Sequence, residues 1–199
     1  MARRSDHSRE EIRELALNAA ETIVAEQGFT GLSARKIAGA IGYTVGTIYL
    51  VFKNLDDLIM QVNARTLDKL YEDVSSEGQT TQHKETLRRF GQAYFNFASQ
   101  NPHLWSLIFE HHVAGGGELI PELGERIGTL FQLVETEIKA LNPKKKKQSI
   151  HRASLALWSG VHGITILAIS DKLFMAENVT PPEMIDQLID NFLTGYLAP

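Results

Sequence analysis

The chain has 199 residues, 43% of them hydrophobic, and a formal net charge of -4. That length suits one or two small domains with a sizeable core. Cysteine is absent, which excludes disulfides, thiolate metal sites and a cysteine nucleophile.

The opening residues, MARRSDHSREE, hold no apolar segment and so do not read as a secretory signal. They form a polar arm carrying Arg3 and Arg4. Ser8 with Glu11 gives a capping box for a first helix, whose buried stripe is expected at Ile12, Leu15, Ala16, Ala19, Ile23 and Val24. Gly28 ends it. The next stretch, SARKIAGAIGYTVGTIYLVFK at 33–53, reads as two short helices around a tight turn. Ser33 suits the first N-cap and Thr44 the second. Ile37, Ala38 and Ile41 give the first an apolar face, and Ile48, Tyr49 and Phe52 give the second one. Gly42 stands where a helix needs a left-handed residue to stop. Two short helices with glycine in the turn form the helix-turn-helix pattern, whose second helix enters the DNA major groove. The net charge does not announce a nucleic-acid binder. Yet Arg3, Arg4, Arg9, Arg13, Arg35, Lys36 and Lys53 lie in or beside this segment, while Glu10, Glu11, Glu14, Glu21 and Glu26 fall mainly on the first helix.

Asn54 caps a fourth helix running to about position 75, with Asp56 and Asp57 favourable in its first turn. Residues 75–82 read as a loop. A fifth helix carries Leu87, Phe90, Tyr94 and Phe97, and Asn101-Pro102 breaks it. A sixth carries Leu104, Trp105, Leu107, Ile108 and Phe109. Glycines 115–117 form a loop. A seventh helix repeats Leu123, Ile127, Leu130, Val134, Ile138 and Leu141, and the lysines at 144–147 separate it from the eighth, expected at about 150–174. That helix contains the longest apolar stretch, 155–169, which is too short to span a bilayer. Thr180 and Glu183 box the start of a ninth helix with Pro181-Pro182, and Ile185, Leu188, Ile189, Phe192, Leu193 and Tyr196 form its stripe. The fold class is all-α with about nine helices. The expected domains are a head at 1–54 and a larger helical domain at 55–199, joined by the helix at 55–75. A cytoplasmic protein with no membrane partner is the default.

The segment 9–59 resembles the N-terminal DNA-binding domain of the TetR family of bacterial regulators. The matching run is AAETIVAEQGFTGLSARKIAGAIGYTVGTIYLVFKNLDDLI, most specifically Gly28-Phe29, Ser33, Ile37-Ala38, Gly42, Gly46-Thr47-Ile48-Tyr49, Phe52-Lys53 and Asp57-Leu58. Farther on, Trp158, His162 and Gly163 look like the W-x-x-x-H-G signature of one C-terminal subgroup. The resemblance implies a repressor released from a palindromic double-stranded operator by a small molecule, and no enzyme. It implies DNA contacts from Ser33, Arg35, Thr44, Val45, Gly46, Thr47, Tyr49 and Lys53. Arg3 and Arg4 are either minor-groove contacts or a solvated tail. Leu50, Val51 and Leu55 depart from the family pattern, and apolar side chains there can still meet a thymine methyl.

Heads of this kind act as dimers, because one short helix reads too few base pairs. Helices eight and nine are the candidate homodimer surface, through Ala153, Ala156, Gly160, Gly163, Leu188, Phe192 and Tyr196. The family's C-terminal domain encloses an effector pocket. Candidate lining residues are Phe90, Tyr94, Phe97, Trp105, Phe109, His112, Phe131, Trp158 and His162, which suit a small apolar or aromatic effector with His162 as polar handle. No cofactor and no metal are expected. Adjacent histidines in Glu110-His111-His112 point to different sides of a helix and lack chelating spacing. Two other readings stay open: an all-α enzyme or metal protein using His111, His112 or His162, and an architectural DNA-binding protein without effector.

Overall fold

The computed structural model describes residues 7–77, 81–112, 120–173 and 178–198. Among them the chain forms nine α-helices and one short 3-10 turn, without a strand. The helices are α1 (Arg9–Gln27), α2 (Ala34–Ala40), α3 (Val45–Val51), α4 (Leu55–Ser76), α5 (His83–Gln100), α6 (Pro102–Glu110), α7 (Pro121–Leu141), α8 (Lys147–Ile169) and α9 (Pro181–Leu197). Arg3, Arg4, Gly78 and the glycines at 115–117 lie outside the described residues.

Local chemistry sets most of the ends. Ser8 and Glu11 close a capping box at α1, and Thr180 and Glu183 close one at α9, with proline in its first turn. Asn54 Oδ1 accepts from the Asp57 amide at 2.8 Å and so caps α4. The α2 terminus is a Schellman motif: Gly42 has φ +74°, the Tyr43 amide donates to the Ala38 carbonyl at 2.9 Å, and the Gly42 amide to Gly39.

Three details differ from the sequence expectation. The buried stripe of α1 is Ala16, Leu17, Ala20, Ile23 and Val24, whereas Leu15 is 36% exposed. The helix is turned so that Leu17 enters the core. The eighth helix starts at Lys147 and stops at Ile169, five residues before Phe174. Asp171 takes φ +53°, and the Lys172 amide bonds the Leu167 carbonyl at 2.8 Å, a second Schellman stop with aspartate in place of glycine. At 23 residues α8 is also long and apolar enough to cross a membrane by composition, longer than the stretch read from the sequence. Its apolarity has another use here: α8 packs on both α5 and α9.

The chain divides into two compact units. The first is Met1–Leu67 with His103–Gly124, and the second is Asp68–Pro102 with Glu125–Pro199. The expected boundary at 54/55 falls at the start of α4, whereas the units part within α4, and α6 belongs to the first. The core of that unit joins Leu17, Val24, Ile37, Ile48, Leu58 and Val62 with Leu104 and Leu107 of α6.

In the second unit α5, α8 and α9 pack on one another. Gly91 of α5 makes close approach to α9 possible: a Cβ there would sit 2.7 Å from Ile185 Cγ2 and 3.1 Å from Ile189 Cδ1. The flanking polar residues fasten the same seam. Arg88 donates from Nε and Nη2 to the two oxygens of Asp190 at 2.9 and 2.7 Å, and Gln92 donates to Asp186 at 2.8 Å. The bidentate hydrogen bonds from Arg88 hold the Asp190 carboxyl below the usual carboxylate range, with a smaller contribution from Lys84. The group's folded pKa is depressed. Its contribution is therefore full above the unfolded value of about 3.9 and is lost as pH falls through the folded one. Asp190→Asn is expected to cost about 1 kcal/mol at pH 7. The gap to wild type in thermal melts should close as the buffer is taken below about pH 4.

Candidate nucleic-acid interface and interior aromatic cluster

α3 has seven residues, too few to be stable alone, so its placement comes from its neighbours. Thr44 caps its start: Oγ1 accepts from the Thr47 amide at 3.3 Å and lies 3.0 Å from Thr47 Oγ1. Ile48 and Val51, 0% and 8% exposed, anchor one side in the core. Its C-terminal end is held by Arg13 of α1. One guanidinium nitrogen donates to the Val51 carbonyl at 2.7 Å and the other to Gln61 Oε1 of α4 at 2.8 Å, with the group lying 5.1 Å over the Phe52 ring. Gln61 in turn donates to Asp57, whose second oxygen accepts from the Lys53 amide at 2.9 Å. A cation at a helix C-terminus also meets the negative end of the helix dipole.

Carboxylates of α1 are drawn off in the same way. Arg65 of α4 bonds Glu14, Glu21 and Asn18, and Arg13 lies 3.8 Å from Glu10. Arg35 and Lys53, both exposed, have no carboxylate partner among the described residues. Ser33 Oγ accepts from the Lys36 amide and caps α2, while the Lys36 ammonium donates to Gln27 at 2.7 Å. The free face of α3 presents Gly46, Tyr49 and Leu50, with Lys53 just beyond the helix end. Val45 and Thr47 are half-buried beside it, and Thr44 is exposed at its start. Ser33, Arg35, Thr44, Val45, Gly46, Thr47, Tyr49 and Lys53 thus all lie in or beside the α2–α3 pair. Arg13, counted in the sequence among the cations beside the head, instead bonds Val51 and Gln61. Gln61 and Arg65 were not singled out, since an arginine engaged by the protein has the same composition signal as one that faces solvent.

The aromatic candidates divide between the units. In the second, Tyr94 Oη lies 2.9 Å from His162 Nδ1, Trp158 stands 5.1 Å from the His162 ring, and Phe131 meets Trp158 edge-on at 5.7 Å. Burial pushes His162 below the ordinary histidine range, so its ring is neutral at pH 7 and can both donate and accept. Phe90 and Phe97 are buried on α5, with 5% and 3% exposure. Trp105 and Phe109, 5.0 Å apart, belong to the first unit with His112. His112 Nδ1 lies 2.9 Å from the Glu110 carbonyl and His111 Nε2 lies 2.9 Å from Asp56, so the adjacent histidines take separate partners.

Of the interface candidates, Ala153 is buried and Gly160 serves the chain's own packing, because a Cβ there would lie 2.6 Å from Leu188 Cδ2. Gly163 has nothing within 4 Å of its Cβ position. Ala156 is exposed, and Phe192 and Tyr196 are stacked rings 6.0 Å apart beside an open groove of about 370 Å³ that Ala153, Ala156, Lys146 and Arg152 also line. The outward side of α8 further exposes Leu155, Ile166 and Leu167, which the sequence reading left out.

Arg13→Ala is expected to leave the Val51 carbonyl and Gln61 short of a partner and to cost about 1–2 kcal/mol. Amide exchange should accelerate in α3 more than in α9, which a site-resolved exchange experiment would register.

A family profile for bacterial regulatory proteins of the tetR family matches residues 16–62, and one for the Tetracyclin repressor-like C-terminal domain matches residues 87–192. No curated protein matches the chain in sequence. Among solved structures, a protein of unknown function from Rhodococcus sp. RHA1 is 18% identical, with TM-score 0.78 and 98% of each chain covered. The TetR family transcriptional regulator PfmR from Thermus thermophilus is 16% identical, with TM-score 0.61, covering 90% of this chain and 97% of its own. A TetR-family transcriptional regulator from Bordetella parapertussis 12822 is 17% identical, with TM-score 0.66, covering 94% and 97%. Those identities establish a shared fold, while the two profiles, the longer spanning more than half of the chain, establish kinship. This chain belongs to the TetR family of DNA-binding transcriptional regulators.

Proposed function

We propose that the protein is an effector-released repressor that binds a palindromic operator as a homodimer. The carrying observation is the free face of α3, which shows Gly46, Tyr49 and Leu50 to solvent beside the Lys53 ammonium, unpaired among the described residues. In this reading residues 1–54 form the reading head. The α3 start, through Thr44, Val45, Gly46 and Thr47, meets base edges. Ser33, Arg35, Tyr49 and Lys53 hold phosphates, which fixes register without reading sequence. Helix N-terminal amides at α2 favour an anion in the same place.

Residues 55–199 take the effector and make the dimer. The connected rings of Tyr94, Phe131, Trp158 and His162 suit a small apolar or aromatic molecule, which His162 and Tyr94 would hold by one or two hydrogen bonds. Phe90 and Phe97 of α5 are assigned to the same pocket. The exposed apolar side of α8, with Phe192 and Tyr196 of α9, supports pairing there. Release follows if the effector prefers a conformation in which the paired heads no longer match their half-sites. A ligand with equal affinity for both conformations shifts nothing.

The test is binding to the DNA upstream of the protein's own gene against random DNA, across a salt series. A specific-to-random ratio above about a thousand with a steep salt slope is expected. Equal, weak binding to both would sink the proposal. Lys53→Ala should weaken both kinds of binding and reduce the slope by about one per protomer. Ile166→Glu should shift the protein to monomer in sedimentation velocity.

A further inference from the structure

The solvent face of α3 carries an apolar residue where a reading helix is expected to carry donors. Leu50 is 65% exposed, more than any other exposed large hydrophobic side chain among the described residues. The two residues nearest it on the core side, Ile48 and Val51, are 0% and 8% exposed, so the helix cannot rotate Leu50 inward without expelling them. The fold therefore leaves Leu50 facing outward.

Gly46, one turn earlier on the same face, adds a second observation. Glycine within a helix is destabilising relative to alanine. Nothing among the described residues requires it here. Its φ is not positive, and a Cβ would meet nothing nearer than Thr44 Oγ1 at 3.7 Å, an ordinary contact. Bare backbone at position 46 leaves a clear path to the side of Leu50 for an outside surface.

The chemistry of that surface follows from what the face lacks. Its polar side chains are the Tyr49 hydroxyl and the Lys53 ammonium, while the hydroxyls of Thr44, exposed at the helix start, and Thr47 are engaged with each other. Among the described exposed residues of α3 there is no Arg, Asn or Gln to read guanine or adenine bidentately. In the major groove the C5-methyl of thymine is the one apolar feature of the base edges. We propose that Leu50 is a specificity-determining residue that packs on a thymine methyl in each half-site, with Gly46 admitting the base edge. This rests on the reading of α3 as the base-reading helix.

The test uses full-length protein and duplexes that it enriches from a random pool. Each thymine of the enriched site is replaced in turn by uracil, which removes only the methyl. Wild type should lose about fourfold in affinity at one position per half-site, the factor expected for one methylene-sized group returned to water. Leu50→Ala should bind the thymine and uracil duplexes equally at that position. Leu50 is exposed, so the variant should melt with wild type, and a matching melt excludes a folding defect. Wild type indifferent to uracil at every position, or Leu50→Ala as sensitive as wild type, would overturn the assignment of Leu50 alone. A pool with no enriched sequence would overturn base reading by α3 as well.

Discussion

A seven-residue helix has to be held from one side so that it can offer the other. Isolated helices of this length are unstable in water, because nucleation fixes several dihedral angles for very few hydrogen bonds. In this protein α3 is clamped on three fronts. Ile48 and Val51 enter the core, Thr44 satisfies amides at its start, and Arg13 takes the carbonyl at its end. The free face owes its order to these contacts. The rest of the first unit is arranged to supply them, α1 giving the guanidinium and α4 the glutamine that steadies it.

The same arrangement sorts charge. The chain is net acidic, yet the head offers cations outward. It does so by pairing carboxylates of α1 with half-buried arginines: Glu14 and Glu21 with Arg65, and Glu10 with Arg13. Arg35 and Lys53 are left unpaired among the described residues. Phosphate attraction depends on local potential more than on net charge, so a protein at -4 can still present a basic edge to DNA.

The second unit solves a different problem, that of packing long helices closely. Glycine at 91 and at 160 brings α9 against α5 and α8 without side-chain interference. Arg88 and Gln92 then fasten the α5–α9 seam with directional bonds to α9 carboxylates. Tyr94, one turn from Gly91 on α5, meets His162 of α8. Close packing and the interior polar pair therefore come from the same stretch of α5.

Helix content, helix order and most helix ends were determined by the sequence alone, because capping and chain reversal are local chemistry. Ser8 with Glu11, Ser33, Thr44, Thr180 with Glu183 and Gly42 each act on amides or carbonyls within five residues. The helix-turn-helix pair could be found for the same reason. One local stop was missed: Asp171 ends α8 in a left-handed conformation that few non-glycine residues adopt, so the helix stops before the apolar sequence suggests. What depends on distant residues was not legible. Leu15 and Leu17 exchange roles because the rotation of α1 is set by the packing of α2, α3 and α6 against it. The arginines show the difference most plainly. Arg13 bonds Gln61 across 48 positions and Arg88 bonds Asp190 across 102, and no local pattern separates them from Arg35 at the surface. Only the tertiary structure brings those partners together, since a side chain's charge is written in the sequence but the direction it faces is fixed by contacts made elsewhere in the chain.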